Sequence, residues 1–101
     1  MTIAPGLILP DTQIAEICHR YQVRELAVFG SAARGELGPD SDVDLLVDFL
    51  PEARLGLIEF AGMMRELSDL LGRRVDLAVK AALKPRVRPH VLADARIIYA
   101  A

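Results

Sequence analysis

Two sets of helically spaced apolar residues occur along the chain. The first follows Asp11 and predicts a helix with Asp11 as its N-cap; its members are Ile14, Ile17, Cys18 and Tyr21. The second predicts a long helix over 55–71 that ends at Gly72. We expect the buried face of this long helix to consist of Leu57, Phe60, Ala61, Met64, Leu67 and Leu71.

Continuous apolar runs lie between and after these helices. They predict strands over 25–29, 43–49 and 74–79, and a last strand or an extended tail over 96–99. Glycine and proline residues interrupt the other segments. We expect a loose or strand-like lead-in at 1–10, a short helix or turn at 31–36, and a last short helix within 85–94. The alternation of helices and strands predicts an α/β fold (α+β in stricter usage), with a small sheet covered by helices.

Composition narrows the class of protein. The 101 residues suffice for one compact domain, and with 52% hydrophobic and 26% charged residues a packed core is expected. A net charge of −2 disfavours a protein that grips the nucleic-acid backbone, so no direct nucleic-acid partner is expected. We find no stretch of ~18 apolar residues and no signal core, and therefore expect a cytoplasmic protein without membrane contact.

Neither cysteine nor histidine suggests a metal site. Cys18 is the single cysteine, which excludes an internal disulfide and a cysteine-rich zinc site. We expect Cys18 to be buried as a small hydrophobic residue and His19 to face solvent. His90 belongs to no clustered pattern of metal ligands.

Asp42 and Asp44 occupy alternate positions at the start of the strand predicted over 43–49. Alternate side chains point to the same face of a strand, so both carboxylates lie on one face, with the Cα atoms of the two residues about 6.6 Å apart. Burying both among apolar residues is costly unless a cation lies between them. Magnesium prefers such oxygen ligands and keeps positions for water and phosphate, so we predict both as metal ligands. Asp40 is expected to be solvated, and Asp48 to be a surface or salt-bridged carboxylate.

Asp76 lies within the strand predicted over 74–79. If that strand is next to the one at 43–49, its carboxylate joins the same cluster. It would then bind one metal and help to deprotonate an attacking hydroxyl. The alternative is an ordinary salt bridge with Arg73 or Arg74.

Gly30 and Ser31 follow an apolar strand and precede Asp42 by ten intervening residues. Glycine permits a tight turn and close backbone approach to a ligand, and Ser31 can cap the following helix and hydrogen-bond a phosphate. Arg34 can reach a triphosphate or an acidic partner, or form a surface ion pair. A basic cluster follows towards the C-terminus and consists of Arg73, Arg74, Lys80, Lys84, Arg86 and Arg88. These residues either contact a nucleotide or an acidic partner, or are dispersed charges that only increase solubility.

The run from Val28 to Phe49 resembles the signature of the polymerase-β-type nucleotidyltransferase superfamily, which is Gly-Ser, ten residues, then Asp-x-Asp. Gly-Ser-Ala-Ala-Arg-Gly-Glu, the short chain and Arg-Val-Asp-Leu-Ala-Val resemble, more narrowly, the minimal nucleotidyltransferases of prokaryotes. The resemblance spans about 11–99, within a single domain over 1–101. It implies a small mixed sheet with alternating helices.

The resemblance also implies roles for particular residues. Asp42, Asp44 and Asp76 would be the catalytic and metal-binding carboxylates, with two Mg²⁺ ions in the active complex. Gly30 and Ser31 would contact the phosphates of ATP. Members of this family are commonly antitoxins that pair with a HEPN-type ribonuclease toxin, which some of them adenylylate on tyrosine. We therefore expect an Mg-dependent transfer of AMP (AMPylation) from ATP to a hydroxyl of a HEPN-type toxin in a hetero-oligomer.

Two alternatives remain open. One is a small-molecule nucleotidyltransferase resembling the aminoglycoside-modifying enzymes, which would need a second chain or a dimer to complete its pocket. The other is a non-catalytic antitoxin that acts by binding alone. A protein that acts by binding alone would typically have lost one or more of the three acidic residues, whereas Asp42, Asp44 and Asp76 are all present here.

Overall fold

A computed structural model describes residues 2–4 and 7–101 of the chain. The helices and strands follow one another in the order β1 (Thr2–Ala4), β2 (Leu7–Ile8), α1 (Asp11–Arg20), β3 (Val23–Phe29), α2 (Gly30–Ala33), β4 (Val43–Phe49), α3 (Leu57–Leu71), β5 (Val75–Val79), α4 (Arg88–Asp94) and β6 (Arg96–Ala100). A turn of 3-10 helix, Lys80–Ala82, follows β5.

The larger sheet is mixed, with the strand order β5-β4-β3-β6. β4 pairs antiparallel with β3 and parallel with β5, and β6 pairs antiparallel with β3. The parallel pair is connected through α3, because parallel neighbours need a crossover longer than a hairpin turn. This mixed sheet with helices confirms the predicted fold class. The strand-like lead-in is confirmed where it is described, since β1 and β2 pair antiparallel; Pro5 and Gly6 lie outside the described residues.

The two faces of the sheet differ in burial. One face packs with α1 and α3 into the core, to which β4 contributes Val43, Leu45 and Val47. Cys18 on α1 is fully buried as predicted, and His19 is exposed. The other face carries the alternate residues of the same strands, including Asp44 on β4 and Asp76 on β5. The acidic residues therefore lie opposite the face that the core covers.

Two predicted details of the helices are wrong. Asp11 is the first residue of α1 rather than its N-cap, which is Pro10. On α3, Leu57 and Ala61 are exposed, whereas Met63, absent from the predicted face, is fully buried. The other four predicted residues do pack into or against the core, together with Met63; they are Phe60, Met64, Leu67 and Leu71.

The end of α3 agrees with the prediction. Gly72 ends the helix in a left-handed conformation with φ of 66°, which glycine adopts at little cost. No helix among residues 2–4 and 7–101 is long and apolar enough to cross a membrane.

Candidate active site

The structure brings the three predicted carboxylates to one edge of the sheet. Asp44 on β4 is the parallel-register partner of Asp76 on β5, so the condition for Asp76 to join the cluster is met. Asp42 precedes β4 directly. Asp42 and Asp76 are exposed, whereas Asp44 is half-buried. The described residues contain no ion pair between Asp76 and either Arg73 or Arg74, which was the alternative for Asp76.

The charges near Asp44 are mostly negative. Burial raises the pKa of Asp44, and the nearby charges of Asp76 and Asp42 raise it further, while Arg34 opposes them only weakly. A bound cation would relieve this repulsion. Within the described part of the chain, no group of three or more Asp, Glu, His or Cys side chains is positioned to hold a metal ion. By chemistry, carboxylate oxygens such as those of Asp42, Asp44 and Asp76 are ligands that Mg²⁺ prefers, and Mg²⁺ usually completes its coordination with water and substrate phosphate.

Gly30 lies directly against the Asp44 carboxylate. Its φ is 68°, and a Cβ built there would lie 2.5 Å from Oδ2 of Asp44. The contact arises because Phe29, the last residue of β3, is paired with Asp44 on β4. Any larger residue would have to displace the carboxylate. Glycine is thus favoured at this position both by its backbone conformation and by the closeness of the Asp44 carboxylate.

Ser31 does not have the capping role predicted for it. The short helix α2 begins at Gly30, its N-cap is Phe29, and no side chain caps it. Ser31 therefore lies within the first turn, where its carbonyl accepts a hydrogen bond from the Glu36 amide at 2.8 Å. Its hydroxyl has no hydrogen-bond partner among the described residues and is half-exposed beside the Gly30 turn.

Arg34 forms the surface ion pair that was one of its alternatives. Its Nη1 donates to Oδ2 of Asp94 on α4 at 2.6 Å, and its Nε is 3.3 Å from Oε1 of Glu36. This arrangement ties the segment after α2 to α4. Contact of Arg34 with a nucleotide stays a prediction. Asp48 is salt-bridged as expected, with Oδ2 2.7 Å from Nη2 of Arg24.

Sequence reasoning missed the role of Arg73 near the acidic edge. Nη1 of Arg73 donates to the carbonyls of Gly38 and Ser41, at 2.9 and 3.2 Å. Those carbonyls belong to the turn that immediately precedes Asp42. The signal in the sequence was the run Gly-Pro-Asp-Ser, which is typical of a tight turn whose carbonyls need donors.

A cavity of about 190 Å³ lies further along the acidic face of the sheet. Leu46 belongs to the same face of β4 as Asp44, two residues on, and lines the cavity together with the buried Ala27. The other lining residues are Glu25, Asp48, Lys80, Leu92, Ala95 and Ile97. Pockets for whole small-molecule ligands measure about 300–1,000 Å³. This cavity is therefore closer in size to one side chain than to a nucleotide.

Comparison with known proteins assigns the family. Residues 11–98 match the family model described as the nucleotidyltransferase domain. The chain belongs to this nucleotidyltransferase family. The protein adenylyltransferase MntA of Thermococcus cleftensis is 47% identical over 79 residues, which is 78% of each chain.

Two solved structures share the fold of this nucleotidyltransferase. A toxin–antitoxin crystal structure with AMP-PNP superposes with a TM-score of 0.75 at 19% identity, over 92% of this chain and 75% of that one. A rebuilt structure of a tri-AMPylated Shewanella oneidensis HEPN toxin in complex with MNT antitoxin has a TM-score of 0.66 at 16% identity, over 90% and 70% of the two chains. The predicted nucleotidyltransferase fold is confirmed.

Proposed function

We propose that this nucleotidyltransferase is an antitoxin that transfers AMP from ATP to a hydroxyl, on a tyrosine, of a HEPN-type toxin and so neutralises it. The observation that carries the proposal is the contact of Gly30 with Asp44, with Asp76 as the register neighbour of Asp44. A glycine turn of the kind that can approach phosphates lies beside carboxylates of the kind that bind metals, and this supports the proposal. The 47% identity to a protein adenylyltransferase supports AMP as the transferred group.

The reaction exchanges one phosphorus–oxygen bond for another. The acceptor oxygen attacks the α-phosphorus of ATP, the bond from that phosphorus to the bridging oxygen breaks, and pyrophosphate leaves. The hydroxyl proton passes to a carboxylate, for which we assign Asp76. Asp42, Asp44 and Asp76 would hold Mg²⁺, two ions in the active complex, and the bound metal would neutralise the phosphate charge.

The backbone at Gly30 and the hydroxyl of Ser31 are assigned to the phosphates. Gly30 lets the backbone of this turn lie directly against the Asp44 carboxylate, and the Ser31 hydroxyl has no hydrogen-bond partner among the described residues. These groups bind and orient the triphosphate, while the carboxylates on β4 and β5 set the position of the reacting atoms. Arg34 is a further candidate for contact with the nucleotide.

A protein acceptor accords with the 47% identity of this chain to a protein adenylyltransferase. The Shewanella oneidensis complex contains an AMPylated HEPN toxin, which supports a toxin as the acceptor here. The acceptor is then positioned by the interface between two chains.

The test is co-expression with the protein encoded by the adjacent reading frame, followed by intact mass after incubation with ATP and Mg²⁺. We expect the partner to gain one or more AMP groups. Asp44→Asn should still bind the partner but lower transfer by on the order of 10²-fold or more. Asp48→Asn is the matched control, because Asp48 is on the same strand and face but pairs with Arg24.

Each alternative function has its own outcome in this test. AMP on a small acceptor and none on the partner would favour a small-molecule nucleotidyltransferase. Full neutralisation of the partner by Asp44→Asn would favour an antitoxin that acts by binding alone.

A further inference from the structure

The turn that leads into Asp42 is built from its own hydrogen bonds. The Ser41 amide donates to the Gly38 carbonyl at 3.3 Å, and the Gly38 amide donates to Oγ of Ser41 at 3.0 Å. Pro39 occupies the second position, where its fixed φ favours a turn. These bonds close the turn on itself but do not attach it to the sheet.

Arg73 attaches this turn to the start of β5. A single nitrogen, Nη1, donates to the carbonyls of Gly38 and Ser41, the first and last residues of the turn. Arg73 is half-buried, and the bonds cross 35 and 32 residues of sequence. Because the donor carries a charge, these bonds are stronger than neutral ones. The ends of the turn are therefore held at a fixed place beside β5.

The neighbouring backbone continues the same attachment. The Val43 amide, at the start of β4, donates to the Arg74 carbonyl at 2.9 Å. On the other side, the Arg73 amide donates to the Ser68 carbonyl at 3.3 Å, and the Ser68 hydroxyl accepts from the Val75 amide at 3.1 Å. The segment at Arg73 and Arg74 is thus anchored to α3 on one side and to the entry of β4 on the other.

Asp42 lies between the turn and β4, next to Ser41 and Val43. Asp76 is in β5, and the turn and the start of β4 are both hydrogen-bonded to Arg73 and Arg74, which directly precede β5. We propose that Arg73 is a positioning residue that fixes Asp42 relative to Asp76 and thereby prepares the acidic edge for a divalent cation and a nucleotide. It acts through the turn and does not touch the reacting groups. The inference rests on the proposed metal-binding role of the carboxylates.

The first test measures amide hydrogen exchange in the protein without metal, using Arg73→Gln. We expect the Ser41 and Val43 amides to exchange about tenfold faster, because the turn loses its charged donor. The Leu67 amide in the core of α3 should not change. Arg74→Gln is the matched control, because the Arg74 side chain is exposed and has no hydrogen bond among the described residues, while its backbone carbonyl is kept.

The second test measures binding of Mn²⁺ and ATP by electron paramagnetic resonance, with no acceptor present. We expect Arg73→Gln to lose roughly 10- to 100-fold in Mn²⁺ affinity, as is common when a residue that orients a ligand is removed. In the transfer assay KM for Mg·ATP should rise, with kcat at saturation changing less. Arg73→Lys, one bond shorter, should recover only part of the affinity.

Three results would overturn the inference. Unchanged exchange at Ser41 and Val43 in a folded Arg73→Gln protein would show that Arg73 does not hold the turn. Full recovery by Arg73→Lys, together with an equal loss in Arg74→Gln, would show that only positive charge matters. Faster exchange with unchanged Mn²⁺ affinity would make Arg73 a structural residue only. The exchange measurement needs neither nucleotide nor toxin, so it stands even if the proposed transfer to a toxin fails.

Discussion

At the scale of single residues, the site depends on the missing side chain of Gly30. The half-buried Asp44 carboxylate occupies the space that a Cβ would fill, and the pKa of Asp44 is raised by burial and by its acidic neighbours. Gly35 provides a comparison within the same loop region. It has a similar φ of 74°, but a Cβ there would meet nothing within 4 Å. The two positions therefore separate the effect of backbone conformation from the effect on Asp44.

We expect Gly30→Ala and Gly35→Ala each to lower the free energy of unfolding by about 1–2 kcal/mol, because both place a side chain in the left-handed region. Gly30→Ala alone should also displace Asp44 and weaken Mn²⁺·ATP binding by at least about tenfold. Urea denaturation and Mn²⁺ titration measure the two effects. Normal Mn²⁺·ATP binding by Gly30→Ala would contradict the role given to this glycine.

At the scale of elements, α3 connects the two strands that carry the carboxylates. Leu67 is completely buried against the sheet, whereas Leu57 in the first turn is 86% exposed. We expect Leu67→Ala to lower the free energy of unfolding by about 2–5 kcal/mol, because it leaves a cavity. Leu57→Ala, the same chemical change on the other side, should stay within about 0.5 kcal/mol. Similar losses for both variants in urea denaturation would contradict the observed orientation of α3.

A polar contact also joins α3 to α1. Glu66 accepts a hydrogen bond from Nη2 of Arg20 at 2.6 Å and another from the hydroxyl of Tyr21. The hydrogen bond from Arg20, followed by that from Tyr21, lowers the pKa of Glu66 below its ordinary value of 4.5. The folded protein thus favours the ionised carboxylate more than the unfolded chain does. This contribution is present above pH 4.5 and is lost as the pH falls from there through the lowered pKa.

Glu66→Gln tests this contact through the pH dependence of stability. At neutral pH we expect a fall in Tm of no more than a few degrees, since the pair is largely exposed. The difference from the unmodified protein should shrink as the pH is lowered past 4.5. Asp69→Asn, an exposed carboxylate on the same helix, is the control. A difference that grows on acidification would refute the assignment.

At the scale of the whole molecule, much of the fold and part of the site follow from local sequence. The apolar run at Val43–Phe49 gave the bounds of β4, because Asp42 and Pro51 limit it on either side. The succession of strand, helix and strand around α3 is typical of a parallel pair, and such a pair brings Asp44 and Asp76 to the same edge. These features depend on periodicity and connection length, which a single sequence contains.

Other parts of the site depend on contacts that the sequence does not contain. The bonds from Arg73 to Gly38 and Ser41 arise only once the turn has been folded against β5. The ion pair of Arg34 with Asp94 likewise depends on where α4 packs. The predicted buried face of α3 differs from the observed one at Leu57, Ala61 and Met63, because all three are apolar and periodicity alone did not decide among them. Prediction was therefore weakest for contacts made between distant segments.

The central claim is that this chain transfers AMP to a protein. The most direct test measures whether the partner acquires label from ATP labelled at the α-phosphate or at the γ-phosphate. The co-expressed partner is incubated with this chain, Mg²⁺ and ATP labelled at either the α- or the γ-phosphate. We predict that the partner acquires label from α-labelled ATP only, and that Asp44→Asn abolishes it while Asp48→Asn does not. Label from γ-labelled ATP, or α-label that appears only on small molecules, would contradict the account.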